Sequence, residues 1–186
     1  TFNYNGTKWP LPQTGQMGLE YEMLKDPSPP GYFCLSTSYR NEPNPIDGRH
    51  ELIFPMFEFE LHGGIDELQE METELLTDLG YDCNFQEGDY EDMAEKLNTV
   101  EIEHEHEQQL YKEFGPVFFL KNFPNYTSPF WNMKKKDDGE GAHKIDVILS
   151  GQETIGFIKI TPHTPSITHF CSHCLLSHCS SHTHIR

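Results

Sequence analysis

Positive charge is scarce in this chain. Its 186 residues include 13 Lys and Arg against 30 Asp and Glu, which gives a formal net charge of −17 at pH 7. A nucleic-acid groove needs clustered Lys and Arg to neutralise phosphates, so a broad basic binding surface is excluded for this stretch of protein. A nucleic-acid partner would have to be held mainly by a part of the protein outside it.

Long apolar runs are missing as well. No run approaches the roughly 20 apolar residues that a membrane-spanning helix needs, and nothing near the first residue resembles a secretory signal peptide. We therefore expect a cytoplasmic protein with no membrane association. The chain opens at Thr1 rather than at Met, so we expect the natural start to lie upstream.

Acidic residues are absent from residues 157–186, although they are dense before that point. This tail instead carries the spacing C-x2-C-x4-C-x2-H at Cys171, Cys174, Cys179 and His182. These donors suit tetrahedral zinc, but the site would stand at a chain end without a turn glycine. We favour a tail foreign to the rest of the chain, such as the product of a reading-frame error, over a natural zinc-binding tail. The remaining cysteines, Cys34 and Cys83, are expected to be free thiols.

Hydrophobic periodicity predicts an α+β domain, with helices packed on a mostly antiparallel sheet. Apolar residues recur at helical spacing over residues 66–79, and Gly80 follows where a C-cap glycine belongs. Further helices are predicted at residues 18–24, 87–97 and 100–114, and strands at 32–39, 54–61, 116–122 and 144–150. The rest of residues 1–30 is predicted to be loop.

The predicted helix at residues 100–114 interleaves Glu with His104 and His106. Groups two residues apart are scattered around a helix rather than gathered on one face. A solvated acidic face is therefore favoured over a metal site.

The predicted strand at residues 54–61 has two unlike faces. One face carries Phe54, Met56, Glu58 and Glu60, and the other carries Pro55, Phe57, Phe59 and Leu61. The second face is expected to pack on the core, which leaves the two glutamates on the working face.

Functional side chains cluster around these two strands. Arg40 and Glu42 stand two residues apart at a strand end, a loop with Arg49 and His50 follows, and Phe54 begins the returning strand. This layout suits a nucleoside triphosphate, because it offers a guanidinium for phosphate, a carboxylate for an exocyclic amine and an aromatic ring for a base.

Taken together, these residues resemble motif 2 of the class II aminoacyl-tRNA synthetases, and most closely the aspartyl/asparaginyl branch. Other segments follow in that family's order: Thr14-Gly15-Gln16, Gly115-Pro116-Val117-Phe118, Phe123-Pro124, Ser128-Pro129-Phe130, and Lys144-Ile145-Asp146 through Gly156. The similarity covers roughly residues 12–156, interpreted as a partial catalytic domain at residues 1–156 followed by the anomalous tail at 157–186.

The resemblance implies a class II synthetase-type antiparallel sheet flanked by helices, here as an incomplete fragment. It also implies ATP-dependent activation of Asn or Asp, with Asn slightly favoured, followed by transfer to tRNA. ATP and Mg²⁺ are the implied cofactors, and the intact protein would be a homodimer. The motif 1 segment that forms the dimer interface is expected upstream of Thr1.

The family's nucleotide contacts carry over to this sequence by resemblance. Arg40 would contact the α-phosphate and the amino-acid carboxylate, and Glu42 would accept from the adenine amine; these two are the catalytic candidates. Phe54 would stack on adenine. Arg49 and His50 would reach the outer phosphates.

The resemblance also assigns a metal and an amino-acid pocket. Asp146 and Glu153 would flank the ATP–Mg²⁺ site. Gln16 and Glu58, together with Arg40, would bind the amino acid.

The chain departs from the family at several positions. Ile53 and Asn122 stand where the family has acidic residues, which leaves the substrate open. After Gly156 the sequence runs through Phe157 and Ile158, where the family leads into an Arg that clamps the γ-phosphate. We expect impaired catalysis as a result. Two alternatives stay open: a tRNA-independent asparagine synthetase that passes aspartyl-adenylate to ammonia, and a non-catalytic synthetase paralogue.

Overall fold

The computed structural model describes residues 1–41, 43–47, 50–82, 84–129, 133–160 and 169–174, with backbone alone for 157–160 and 169–174. Its strands are β1 (Phe2–Tyr4), β2 (Thr7–Trp9), β3 (Gly31–Tyr39), β4 (Ile53–Leu61), β5 (Gln86–Asp89), β6 (Val117–Pro124), β7 (Gly141–Leu149), β8 (Gln152–Ile160) and β9 (His169–Cys174). Its helices are α1 (Gln16–Lys25), α2 (Ile65–Asp78), α3 (Tyr90–Lys96) and α4 (His104–Phe114). A 3₁₀ turn covers Asn125–Thr127.

Seven strands form one sheet in the order β3-β4-β9-β8-β7-β6-β5. Neighbouring strands are antiparallel except for the parallel pair β5–β6. The predicted α+β class with a mostly antiparallel sheet is confirmed. In the described part of the chain, no helix has the length and apolar character needed to cross a bilayer.

One face of the sheet packs on α2. Phe59 on β4, Ile145 and Val147 on β7, and Leu68 and Leu76 on α2 form this buried cluster. The alternation predicted for β4 is therefore confirmed, because Phe57, Phe59 and Leu61 lie at this core. Gly80 follows α2 with φ of 91°, as expected for a glycine just beyond a helix end.

The opposite face is covered in two places. At its β5–β8 end, Tyr90 and Ala94 on α3 and Leu110 on α4 pack on Phe118 and Ile148. At its other end, α1 packs on β3 and β4. The space between these coverings is where the polar side chains of β4 and β7 lie.

The prediction of loop for the first residues is wrong at one place. β1 and β2 form a two-stranded hairpin in which Tyr4 pairs with Thr7. Its turn is Asn5-Gly6, with φ of 50° and 77°. Asn-Gly is a sequence signal for such a turn, but three-residue strands are too short to show period-two alternation.

Two predicted helices begin later than expected. The predicted helix at residues 87–97 is strand β5 followed by α3, and α3 begins at Tyr90. The predicted helix at 100–114 begins at His104, because Glu103 acts as the N-cap and its backbone N–H donates to His106 Nδ1 at 3.0 Å. Strands β8 and β9 were not predicted at all, and β9 lies inside the segment interpreted as a foreign tail.

A buried hydroxyl ties α3 to the segment before α4. The backbone N–H of Ile102 donates to the Tyr90 hydroxyl oxygen at 2.8 Å, and Tyr90 is 4% exposed. Tyr90→Phe should lower the free energy of unfolding by about 1–2 kcal/mol, because that N–H loses its acceptor. Urea unfolding measures this, with the exposed Tyr111→Phe as control. Equal midpoints for the two variants would show that water replaces the hydroxyl without cost.

Candidate active site

Glu58 on β4 lies in a ring of hydrogen-bond donors. It has no exposed surface and accepts from the Thr14 hydroxyl, from the Gly15 N–H at 2.8 Å and from the Ser36 hydroxyl at 2.6 Å. A side chain at Gly15 would lie 2.8 Å from Cys34 Sγ and 3.1 Å from Glu58 Oε2. The backbone that leads into α1 therefore rests directly on this carboxyl group.

Gln16 and Glu60 form a buried hydrogen-bonded pair next to Glu58 on the same face of β4. Gln16 is 2% exposed, and its Nε2 donates to Glu60 Oε2 at 3.3 Å. Burial, helped by the Glu20 carboxylate, raises the pKa of Glu60 to about 8, and the Gln16 hydrogen bond opposes this rise. Glu60 is therefore mainly protonated at neutral pH, whereas the sequence alone suggested two carboxylates on an open working face.

Arg40 and Phe54 meet at the end of this strand pair. The Arg40 guanidinium carbon lies 5.2 Å from the centre of the Phe54 ring, in a cation–π arrangement. Arg40 is exposed and Phe54 is 3% exposed. The structure brings these two predicted nucleotide contacts together, with the cation over the ring that was predicted to stack on adenine.

The other predicted contacts of this loop are less well defined. His50 is exposed, and its Nδ1 accepts from the Ile46 N–H at 3.2 Å. Glu42 and Arg49 lie outside the described residues, so their roles stay predictions.

A cleft of about 350 Å³ opens over β6, β7 and β8. Its lining includes Tyr90, Glu107, Phe123, Lys144, Asp146 and Glu153. Lys144 Nζ contacts Asp146 Oδ2 at 2.5 Å and lies 3.9 Å from the centre of the Phe123 ring. The cleft is thus a site with both acidic and basic groups and one aromatic wall.

Asp146 and Glu153 converge on one point of β8. A Cβ at Gly156 would lie 3.1 Å from Glu153 Oε1 and 3.3 Å from Asp146 Oδ1. That Oδ1 atom is buried and has no hydrogen-bond partner in the described part of the chain. Two converging carboxylates fit a Mg²⁺ ion that takes its other ligands from water and phosphate. Larger groups, with three or more metal-binding side chains suitably placed, are absent from the described residues.

Lys144 and Asp146 form an ion pair inside the cleft. Burial and the Glu153 carboxylate raise the pKa of Asp146 to about 8, and Lys144 opposes this. Burial lowers the pKa of Lys144, but the Asp146 and Glu153 carboxylates together raise it by more than burial lowers it. The pKa of Lys144 is therefore raised. A raised pKa for Asp146 alone would favour the neutral acid. The 2.5 Å contact favours the ion pair, because two partly buried opposite charges at this distance compensate each other.

Strand register joins the two ends of the site into one row. Glu58 pairs with His173 of β9, His173 pairs with Gly156, and Gly156 pairs with Asp146. Adjacent strands lie about 4.8 Å apart, so this row is roughly 15 Å long. Glu58 and Asp146 both face away from the α2 cluster, because Phe59 and Ile145 beside them face towards it.

Sequence reasoning missed two residues of the cleft. Lys144 stands two positions before Asp146 on β7, so strand alternation alone would have placed it on the same face. Glu107 was assigned to a solvated helix face; that prediction is wrong here, because Glu107 is 8% exposed and accepts from the Glu153 N–H at 3.3 Å. The prediction holds for Glu103 and Glu105, which are exposed.

The cysteine predictions are tested only in part. Cys34 is a free thiol, as expected, and burial together with the Glu58 carboxylate raises its pKa. Cys83, Cys179 and His182 lie outside the described residues. The side chains of Cys171 and Cys174 do as well, so the zinc alternative stays a prediction.

Comparisons with known proteins point to one group of enzymes. No family model matches the chain. The aspartate–tRNA(Asp) ligase of Pyrobaculum aerophilum is 30% identical over 94 residues, which cover 46% of this chain and 21% of that protein.

Solved structures give a broader match. The asparaginyl-tRNA synthetase of Pyrococcus horikoshii complexed with asparaginyl-adenylate has a TM-score of 0.74 and 18% identity, over 88% of this chain and 51% of that one. The aspartyl-tRNA synthetase of Entamoeba histolytica has a TM-score of 0.74 and 16% identity, over 88% and 46%. The chain thus spans about half the length of these structures. It has the fold of the aspartyl- and asparaginyl-tRNA synthetases, which confirms the resemblance identified from its sequence.

Proposed function

We propose that this chain carries the amino-acid-activating part of an aspartyl- or asparaginyl-tRNA synthetase. The observation that carries the proposal is the row of paired residues from Glu58 to Asp146. It puts Glu58, which is surrounded by hydrogen-bond donors, on the same sheet face as the converging carboxylates of Asp146 and Glu153. Formation of an aminoacyl-adenylate needs one anchor for the amino group of the amino acid and another for the charged phosphates of ATP.

The amino acid would be held at the α1 end of the row. Glu58 is fixed by Thr14, Gly15 and Ser36, so the orientation of its carboxylate is set before the substrate binds. Because Glu58 is fully buried, the substrate's ammonium group would reach it only when the side chains that cover it move aside. Gln16, held by Glu60, would contact the same substrate. Arg40 would bring its guanidinium to the substrate carboxylate and the α-phosphate, where a planar fork fits both groups.

The triphosphate would lie towards the cleft. Asp146 Oδ1 and Glu153 Oε1 are the atoms that would hold Mg²⁺ there. When bound, this ion would neutralise the charge of the phosphates and orient them. Phe54, Glu42, Arg49 and His50 are proposed to contact the base and the outer phosphates.

The wider assignments belong to the intact protein. We propose tRNA as the acceptor, a homodimer as the assembly and the cytoplasm as the location. The absence of an Arg soon after Gly156 supports slow chemistry in this chain. Ile53 and Asn122 leave the choice between Asn and Asp to experiment.

ATP–pyrophosphate exchange with Asp and with Asn tests the proposal, together with equilibrium binding of ATP. We expect ATP binding, with exchange well below the rate of a complete synthetase. Arg40→Ala should weaken ATP binding by at least about tenfold, because hydrogen bonds to charged groups contribute about 1.5–3 kcal/mol. Lys25→Ala, which removes an exposed charge on α1, is the matched control.

The outcomes separate the alternatives. Free asparagine formed from aspartate, ATP and ammonia without tRNA would favour the asparagine synthetase. ATP binding without adenylate formation for any amino acid would favour a non-catalytic paralogue. An Arg40→Ala variant that binds ATP as tightly as the parent would refute all the synthetase assignments.

A further inference from the structure

Lys144 brings a positive charge to the place where a divalent cation would bind. Its Nζ contacts Asp146 Oδ2, and the other oxygen of the same carboxylate lies, like Glu153 Oε1, close to the point where a Cβ at Gly156 would stand. The Lys144 side chain is 23% exposed, and the Phe123 ring lies against its ammonium group. The ammonium group is therefore held by two contacts, one with Asp146 and one with the Phe123 ring, and it would lose both by moving away.

We propose that Lys144 is a built-in cation of the cleft, which competes with a divalent ion for Asp146 and offers its ammonium group to the phosphates of the nucleotide. The inference rests on the proposed function in taking the cleft as the phosphate site. It goes further because Lys144 would supply part of the positive charge that a metal ion would otherwise bring to the phosphates.

The charges of the cleft support this role. Four carboxyl groups lie in the described lining, and Lys144 supplies its one ammonium group; the carboxyl groups are those of Glu101, Glu107, Asp146 and Glu153. A divalent ion at Asp146 Oδ1 would sit one carboxylate away from Lys144, and like charges at that separation repel strongly in a partly buried site. The same ammonium attracts a polyphosphate, as lysine does in phosphate-binding loops.

Binding of Mn²⁺ alone, measured by loss of its free-ion electron paramagnetic resonance signal, tests the competition without any catalytic readout. Lys144→Met should bind Mn²⁺ at least about tenfold more tightly than the parent, because the repulsion is gone. Lys121→Met is the matched control. Lys121 is on neighbouring β6, its side chain is 20% exposed and it pairs with Glu87, away from the cleft lining. Unchanged Mn²⁺ affinity in Lys144→Met would overturn the proposal.

Two further measurements keep the result decisive. If Lys144→Met does not fold, Lys144→Gln removes the same charge while keeping a hydrogen-bond donor for Asp146, and the same tenfold change is expected. In EDTA, ATP should bind the parent at least about tenfold more tightly than it binds Lys144→Met. A parent that binds no ATP even with Mg²⁺ would refute the proposed function, and the Mn²⁺ titration would still decide the role of Lys144.

Discussion

Glu58→Ala is expected to lower the free energy of unfolding by about 2–4 kcal/mol, because three donors would face an empty space. Those donors are the Thr14 hydroxyl, the Gly15 N–H and the Ser36 hydroxyl, and the carboxyl group they surround is fully buried. Chemical unfolding would measure the loss. The exposed Glu51→Ala serves as control, since it removes the same group just before β4.

Glu58→Gln separates the two roles of this residue. The amide keeps the volume and one acceptor oxygen, so stability should fall by no more than about 1–2 kcal/mol. Amino-acid binding should weaken by about 100-fold, because the ammonium group of the substrate loses its charged partner. Calorimetric titration with Asp and Asn measures this effect. If Glu58→Gln bound the amino acid like the parent, Glu58 would be a structural residue only.

Glu72→Leu is expected to stabilise the protein by about 1–3 kcal/mol at pH 7, because a buried polar group without a hydrogen-bond partner costs about that much. Glu72 stands between Leu68 and Leu76 on the core-facing side of α2, and all three are fully buried. Neither carboxyl oxygen of Glu72 has a hydrogen-bond partner in the described residues. Burial, and secondarily the Asp146 carboxylate, raises the pKa of Glu72 well above its usual value.

The sign of the pH dependence follows from that shift. Below pH 4.5 the Glu72 carboxyl group is protonated in both the folded and the unfolded state, so it adds no pH dependence to the stability. As the pH rises above this value the unfolded chain releases the proton while the native state keeps it, so stability falls by about 1.4 kcal/mol per pH unit. The raised pKa of Glu60 adds a similar fall up to about pH 8.

Unfolding free energies measured from pH 5 to pH 8 would show the effect directly. The parent should lose stability across this range, and Glu72→Leu should lose it less steeply, by at most about 1.4 kcal/mol per pH unit. Glu74→Leu, an exposed position on the same helix, should keep the slope of the parent. Parallel slopes for parent and Glu72→Leu would mean that Glu72 is ionised in the folded protein.

The fold could be predicted where the sequence is periodic over many residues. The leucines of α2 and the alternation of β4 each bury one side of a long element, and that requirement is visible in the sequence itself. β9 could not be predicted, because its pairing with β4 and β8 depends on contacts far along the chain. Glu72 also escaped prediction, since a carboxylate at a core position breaks the pattern on which such inference depends.

For the candidate site, the sequence suggested residue types more than their arrangement. Resemblance supplied Gln16, Glu58 and Asp146, and the register then placed Glu58 and Asp146 in a single row. What the sequence could not supply was the environment of each group. The donors around Glu58 come from segments 22 to 44 positions away, and the protonation of Glu60 follows from burial.

Strand β9 has a consequence for how this site tolerates change. Main-chain ladders on both of its edges tie β4 to β8, and these bonds are made by every residue type except proline. The segment thus acts as a spacer whose width is fixed by backbone geometry rather than by side-chain identity. A stretch of quite unrelated sequence could hold the two halves of the row at the same separation, provided that it accepts an extended conformation. A chain truncated before residue 169 would lack β9, and it would leave β3–β4 and β5–β8 as two separate sheets.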